Sequence, residues 1–337
     1  MNSTLLIELL TEELPPKALK RLGDTFAAQV AAGLHEAHLT NNADDFVAYA
    51  SARRLAVTVP NVLAIQPDRQ VIKKGPSAAA GMKDGKPTKA LEGFARSCGV
   101  EPSALKLIHD GKQDVYVYEK MQRGQALENL IDEILAQAVK KLPIPKVMRW
   151  GSSEHRFVRP VHALTVLHGD RIVPASVLGL TSDRHTFGHR FLAGEITVST
   201  ADDYETQMRE EGRVIASFTA RRALIENELN KHAARLHAHI ATDDDLLDEV
   251  CALVEWPVVL QGSFDEAFLR VPQECLILTM QQNQKYFPLL DENSKLINRF
   301  LLVSNMEAQD NGAKIVRGNE KVLRARLADA EFFYTQD

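Results

Sequence analysis

KLPIPKVMRWGSSEHRFVR, residues 141–159, divides this chain in two. Pro143 and Pro145 each remove a backbone donor and turn Leu142 and Ile144 away from helix, so the segment runs extended. Upstream, Leu127, Ile131, Ile134, Leu135 and Ala138 recur at helical spacing and predict a helix over 127–139 that delivers the chain into this crossover. Downstream the pattern turns to strands: 161–167, a turn at His168-Gly169-Asp170, then 172–178 read as a β-hairpin. The sign of the charge also reverses here. Lys140, Lys141, Lys146, Arg149, Arg156 and Arg159 face one acid, Glu154, in a chain of formal net charge −5. Trp150, one of two tryptophans, stands beside Gly151. An extended, basic, aromatic-bearing segment suits a nucleic-acid backbone or an acidic partner. It equally suits a solvated crossover whose tryptophan packs in a core.

Toward the N-terminus, Leu5 to Leu10 is a short apolar run that reads as a buried strand. TEELPP follows, where Thr11 can cap a turn and Pro15-Pro16 suit a helix start. Leu19, Leu22, Phe26, Val30 and Leu34 then predict an amphipathic helix over 16–38. Residues 46–62 read as strand, broken by a turn at Ser51-Ala52-Arg53-Arg54; strand, helix and strand make a small α/β unit. The stretch 68–87, rich in Gly, Pro and Lys, reads as a loop. It is no phosphate loop, because Pro87 follows Gly85-Lys86 where Ser or Thr belongs. Thr88 caps a helix with Leu91, Phe94, Ala95 and Cys98 on one face, and 105–121 is a hairpin turning at Asp110-Gly111.

Toward the C-terminus, SDRHTFGHR at 182–190 carries His185 and His189 four apart. Gly188 and the missing apolar face argue against a helix holding a metal there, and for a loop touching phosphate or a partner. Helices follow near 202–211, over 218–239 and from Asp243. A strand at 258–262, a helix at 272–282 and a second hairpin around Asp291-Glu292-Asn293 lead to a last helix over 318–333.

A chain of 337 residues, 45% hydrophobic and 25% charged, has ample material for two or three domains. No apolar run reaches membrane-spanning length, and the acidic N-terminus does not read as a secretory signal. Three distant cysteines without a CxxC pair argue for a reducing compartment, and against a disulfide framework or cysteine zinc site.

Several blocks carry a resemblance. IELLTEELPPKAL near the start, DGKPTKALEGFARSCGV at 84–100, LPIPKVMRWGSSEHRFVRPVHALTVLHGD at 142–170, GHRF at 188–191, LVEWPVVLQGSF at 253–264, QQNQKYFPL at 281–289 and GNEKVLRARLADAEFFY at 318–334 resemble, in order, the β subunit of bacterial heterotetrameric glycyl-tRNA synthetases. The family's chains continue well past Asp337, so the resemblance covers an N-terminal half, without the HD-like and anticodon-binding regions. It implies a cytoplasmic enzyme whose separate α subunit uses ATP with Mg to activate glycine. The β subunit would hold tRNA(Gly) and the α subunit, meeting a second β subunit only indirectly, with no membrane involved. No catalytic residue, metal or cofactor of this chain's own is expected.

The residues expected to touch tRNA or the α subunit fall in three groups: Lys146, Arg149, Trp150, Arg156 and Arg159; His189 and Arg190; and Lys321, Arg324 and Arg326. Arg can grip phosphate as a fork, and Lys acts as a point charge. The last group has another use, intrahelical pairing with Glu320, Asp329 or Glu331. Trp150, Phe157, Tyr286 and Phe287 offer stacking faces or core packing. Two rivals stand beside this reading: a tRNA-editing hydrolase using His185, His189 or Cys98, and an assembly scaffold without RNA contact. The expected fold is α+β and multi-domain, with mixed helices and mostly antiparallel hairpins. Its segments are a small α/β unit at 1–66, a loop with helix and hairpin at 67–141, and a larger α+β part at 142–337 ending in a basic helix.

Overall fold

The computed structural model describes residues 2–144, 146–241 and 243–336. The chain is α+β, as expected, and divides into two compact units: residues 1–63 with 130–337, and the intervening 64–129. The sequence boundaries at 66 and 141 thus give way to 63 and 129, and the first and last segments share one unit.

In the first unit the apolar run becomes β1 (Asn2–Thr11), followed by α1 (Pro16–Glu36), β2 (Val47–Ser51) and β3 (Arg54–Leu63). Pro15 precedes α1 without a side-chain cap, and Thr11 instead donates to the Glu12 carbonyl. β1 is hydrogen-bonded on both edges and buried on both faces, which explains why it is apolar without alternation. The buried stripe of α1 (Leu19, Leu22, Phe26, Val30, Leu34) contacts β2 and β3.

The second unit overturns the loop expected at 68–87. It holds β4 (Arg69–Ser77), α2 (Ala78–Gly81), a hairpin of β5 (Met82–Lys83) and β6 (Lys86–Pro87), α3 (Lys89–Cys98), β7 (Lys106–His109) and β8 (Asp114–Gln122). The order is β4-β8-β7, antiparallel. Pro76 falls inside the register shift between Lys74 and Ser77, where a missing donor costs little. Pairing with a strand some forty residues away outweighed the local Gly and Pro signals. Thr88 caps α3 as expected, accepting from the Leu91 amide, and Gly99 ends it in the left-handed region. Leu91, Ala95 and Leu105 form a small core.

The chain returns to the first unit with α4 (Ile131–Lys140), the two-residue strands β9 (Met148–Arg149) and β10 (Arg156–Phe157), and β11 (Val161–His168). β11 lies antiparallel along β1, so the strand after the crossover completes the N-terminal sheet. The expected hairpin is cut short: β12 (Arg171–Ile172) stops before Pro174, and β13 (Ser176–Val177) leads to β14 (Leu180–Asp183), which pairs with β11 in parallel. β15 (His185–Phe187) and β16 (Glu195–Thr197) form a ribbon, and α5 (Tyr204–Glu210) follows. Ile196, Val198, Tyr204, Met208 and Val214 cover Leu6 on the sheet.

Then come α6 (Phe218–Arg235), β17 (His239–Ile240), α7 (Asp244–Leu253), β18 (Val258–Ser263), α8 (Gln273–Leu278), a π-turn over Thr279–Asn283, β19 (Phe287–Leu290), β20 (Leu296–Ser304) and α9 (Ala313–Gln336). The strands make a sheet ordered β17-β19-β20-β18. Leu323 and Leu327 of α9 enter its core with Phe264, Phe268, Met280, Tyr286 and Phe300.

Candidate functional site

The crossover residues are less free than their charge suggests. β9 and β10 set Arg149 opposite Arg156, and the Arg149 guanidinium turns to Glu154 at 2.9 Å. Lys146 and Arg156 are exposed and unpaired among the described residues, Trp150 is half-buried, and Phe157 is buried. Pro145 lies outside the described residues. Arg159 donates from Nε to the Glu13 carbonyl at 2.9 Å and from Nη1 to the Val158 carbonyl. Arg190 reaches the same turn, 2.8 Å from Glu12 and 3.0 Å from Glu13, with His162 Nε2 3.0 Å from Glu12. Burial pushes the Glu12 carboxyl upward, but hydrogen bonds from Arg190 and His162 prevail and hold it below its ordinary value. Arg159 and Arg190 therefore pin TEELPP in place.

His189 is interior, with 1% of its surface exposed. Its Nδ1 accepts from the Phe191 amide, which puts the proton on Nε2, an atom without a partner among the described residues. Gly188 has no room for a side chain, since an added Cβ would lie 2.5 Å from the Gly212 carbonyl oxygen. The aromatic residues that emerge are Phe187 and Phe191, the latter 73% exposed. Sequence reasoning singled out neither; of the residues for which it offered stacking or core packing, Phe157, Tyr286 and Phe287 are in the core.

Beneath this surface lies a buried polar network. Glu8 accepts from Arg54 at 3.0 Å and from the hydroxyls of Thr186 and Tyr204. Arg54 also donates to Ser51 at 3.1 Å and to the Phe187 carbonyl at 2.9 Å, and lies 3.5 Å from Glu255. Ser51 donates to Glu255 at 2.5 Å. Burial alone would lift the Glu255 carboxyl, but the Arg54 charge and the Ser51 hydroxyl hold it below its ordinary value. Burial raises the Tyr204 phenol well above its own. One guanidinium thus joins β1, β3, the β15 ribbon, α5 and the approach to β18. Nearby Arg221, equally buried, binds the carbonyls of Ala50, Ile215 and Cys251.

α9 is different. Two of the three acids expected to neutralise its cations are engaged elsewhere: Glu320 accepts from the Ser263 amide at 2.8 Å and from its hydroxyl, and Glu331 takes Arg270, while Asp329 is exposed. Lys321, Arg324 and Arg326 are exposed and unpaired among the described residues. They do not share a face. Arg326 is two residues, about 200° of helical rotation, from Arg324. The cations that align with Lys321 and Arg324 are Lys314 and Arg317, at steps of three, four and three residues. Both were missed because the helix was expected to begin at Gly318, whereas it starts at Ala313. Extending the stripe backward past that glycine would have found them.

An open cleft of about 1040 Å³ lies between the start of α1, α7 and the π-turn. Lys17, Lys20 and Arg21 face Asp243, Asp248 and Glu249 across it. Asp248 holds Arg222 at 2.5 Å, and Glu249 holds Lys285 at 3.0 Å. It receives none of the expected site residues. No group of three His, Cys, Asp or Glu among the described residues is placed to hold a metal. His185 lies near Thr197 and Glu195, Cys98 is half-buried, and Cys251 is buried with its thiol pushed up to about 11.

Comparison with known proteins agrees along the whole chain. A family model described as "Glycyl-tRNA synthetase beta subunit" matches residues 5–337. A "Glycine--tRNA ligase beta subunit" of Neisseria meningitidis serogroup C (strain 053442) is 64% identical over 338 residues, covering 100% of this chain and 49% of that protein. Proteins of the same name are 50% identical over 341 residues in Aromatoleum aromaticum and 46% over 338 in Citrobacter koseri. The chain spans about half the length of these relatives (49% of each). With a match this continuous, the chain belongs to the glycyl-tRNA synthetase beta subunit family.

Proposed function

We propose that this chain forms the N-terminal part of the β subunit of a glycine–tRNA ligase and holds tRNA(Gly), the catalytic α subunit, or both. The supporting observation is a division among its charged groups. Glu8, Arg54, Glu255, Arg159 and Arg190 are tied into the fold, while Lys146, Arg156, Lys321, Arg324 and Arg326 stand exposed and without an ion pair among the described residues. Exposed cations without local acids suit a polyanion or an acidic protein face.

In this reading the α subunit activates glycine as an adenylate with ATP and Mg, and glycine then passes to the tRNA 3′ end. This chain performs neither step, meets a second β subunit only indirectly, and works in the cytoplasm. No described helix is long and apolar enough to cross a membrane.

The test is binding of tRNA(Gly) and an unrelated tRNA to the full-length chain between about 50 and 200 mM salt, with and without the α subunit. Salt-sensitive tRNA binding, retention of the α subunit, or both is the expected result. A chain that binds neither overturns the proposal. Charge reversal of Arg149 and Arg156 separates the partners, removing tRNA binding in one case and α-subunit binding in the other. The editing reading requires hydrolysis of mischarged tRNA that disappears in His189→Ala.

A further inference from the structure

We infer that the outer face of α9, the stripe Lys314–Arg317–Lys321–Arg324 followed by Phe332, is an RNA-binding surface that grips one strand's phosphates and stacks on a neighbouring unpaired base. This rests on the tRNA-holding reading above and narrows it to one element. The four cations lie within ten residue steps, roughly 15 Å of helix at 1.5 Å per residue. Phe332 continues the same face, eight residues beyond Arg324, and is 59% exposed. Leu323 and Leu327 occupy the opposite, buried face, so α9 is held by its core side while the cations stay outside.

Most of the stripe is uncompensated because of how α9 is anchored. Glu320 and Glu331 lie on its flank toward the core and are bound to Ser263 and Arg270. Asp329 lies three residues before Phe332, on the flank of the stripe away from Arg324, and no ion pair to it is seen among the described residues. Asp310, before the helix, accepts the backbone N–H groups of Gly312 and Lys314. The Lys314 charge helps hold the Asp310 carboxyl below its ordinary value, so Lys314 has an acid near it; all four cations are exposed, and Arg317, Lys321 and Arg324 are without an ion pair among the described residues.

A row of like charges ending in an exposed ring fits RNA better than a protein partner. Protein interfaces are depleted of lysine at their centres and rely on apolar anchors there, and this face offers none between Lys314 and Arg324. RNA supplies regularly spaced anions for Lys and Arg, and unpaired bases supply flat partners for an aromatic side chain. Arg326, on the other flank, is outside this surface.

The experiment uses the full-length chain and compares the parent with K314A/R317A/K321A/R324A. It measures affinity for tRNA(Gly), an unrelated tRNA, and a stem–loop RNA with or without a single-stranded extension, over a salt series. The quadruple variant is expected to bind every RNA at least tenfold more weakly at low salt. Its plot of log affinity against log salt should be shallower by about three, at 0.7–0.9 per phosphate contact. Phe332→Ala is expected to cost about tenfold only where unpaired bases are present, at unchanged slope, with Phe332→Tyr restoring binding. An unchanged affinity and slope in a quadruple variant of parental Tm overturns the inference while leaving the broader reading intact. So does loss of the α subunit with RNA binding retained. A parent chain that binds no RNA defeats the tRNA-holding reading itself, and this inference with it.

Discussion

At the scale of single residues, Arg54 is the one whose removal should be felt most widely. It is fully buried, with Glu8 at 3.0 Å and Glu255 at 3.5 Å. Arg54→Met would leave two carboxylates in the interior without their cation. Breaking a buried ion pair from one side costs about 3–5 kcal/mol, so the urea midpoint should drop accordingly; a loss under about 1 kcal/mol would mean that water reaches the site. Glu255 also gives a pH dependence. Its native pKa lies below the ordinary 4.5, so its contribution to stability is full above that value and disappears as pH falls toward the depressed one. Glu255→Gln should flatten the acid limb of a stability profile measured from pH 6 downward, and an unaltered limb would assign acid unfolding to other carboxylates. These partners were hidden in the sequence. Glu8, Arg54 and Glu255 lie far apart along the chain, and nothing local distinguishes a buried glutamate in IELL from a surface one. Gly188 was legible only as a glycine; the close pass of the Gly212 backbone that requires it appears only in three dimensions.

At the scale of elements, periodicity was the reliable guide. α1 was expected over 16–38 and occupies Pro16–Glu36, because an apolar stripe must be buried wherever the chain goes. Elements defined by distant pairing were not legible, as β4 shows: Lys73 and Lys74 look like loop residues until Tyr118 and Val117 are set beside them. The α9 site was half legible for a related reason. Charge can be counted along a sequence, but which acids are already engaged cannot. α1 itself carries a local conflict. Its first turn has no acid, and Lys17, Lys20 and Arg21 stand near its positive end. A cation there is unfavourable, and an acid typically contributes about 0.3–1 kcal/mol. Lys17→Glu should therefore raise Tm slightly at low salt, with the gain fading as salt rises. A fall in Tm would indicate that Lys17 is stabilised by a contact across the cleft.

At the scale of the molecule, the second unit, 64–129, is an insertion whose two ends are zipped together. Ile65 bridges Ala126, the Gln66 amide donates to the Gln125 carbonyl at 2.9 Å, and the Leu127 amide donates to the Ala64 carbonyl at 2.9 Å. The two ends of this unit therefore lie side by side. The central sheet does not depend on the insertion for its order, since β1, β2, β3 and β11 all lie outside it. The same is true of the buried Glu8–Arg54–Glu255 network and of α9 with its core. Replacing residues 64–129 with a short Gly-Ser linker should then leave a cooperative unfolding transition. Closing a shorter loop costs less entropy, though only by fractions of a kcal/mol for each halving of its length. Circular dichroism and urea unfolding of the deletion variant measure this directly. If the first unit is autonomous, its transition stays sharp and Arg54→Met shifts it as far as in the parent. A deletion variant that unfolds gradually, without a midpoint, would mean that the insertion stabilises the first unit and that the two fold as one.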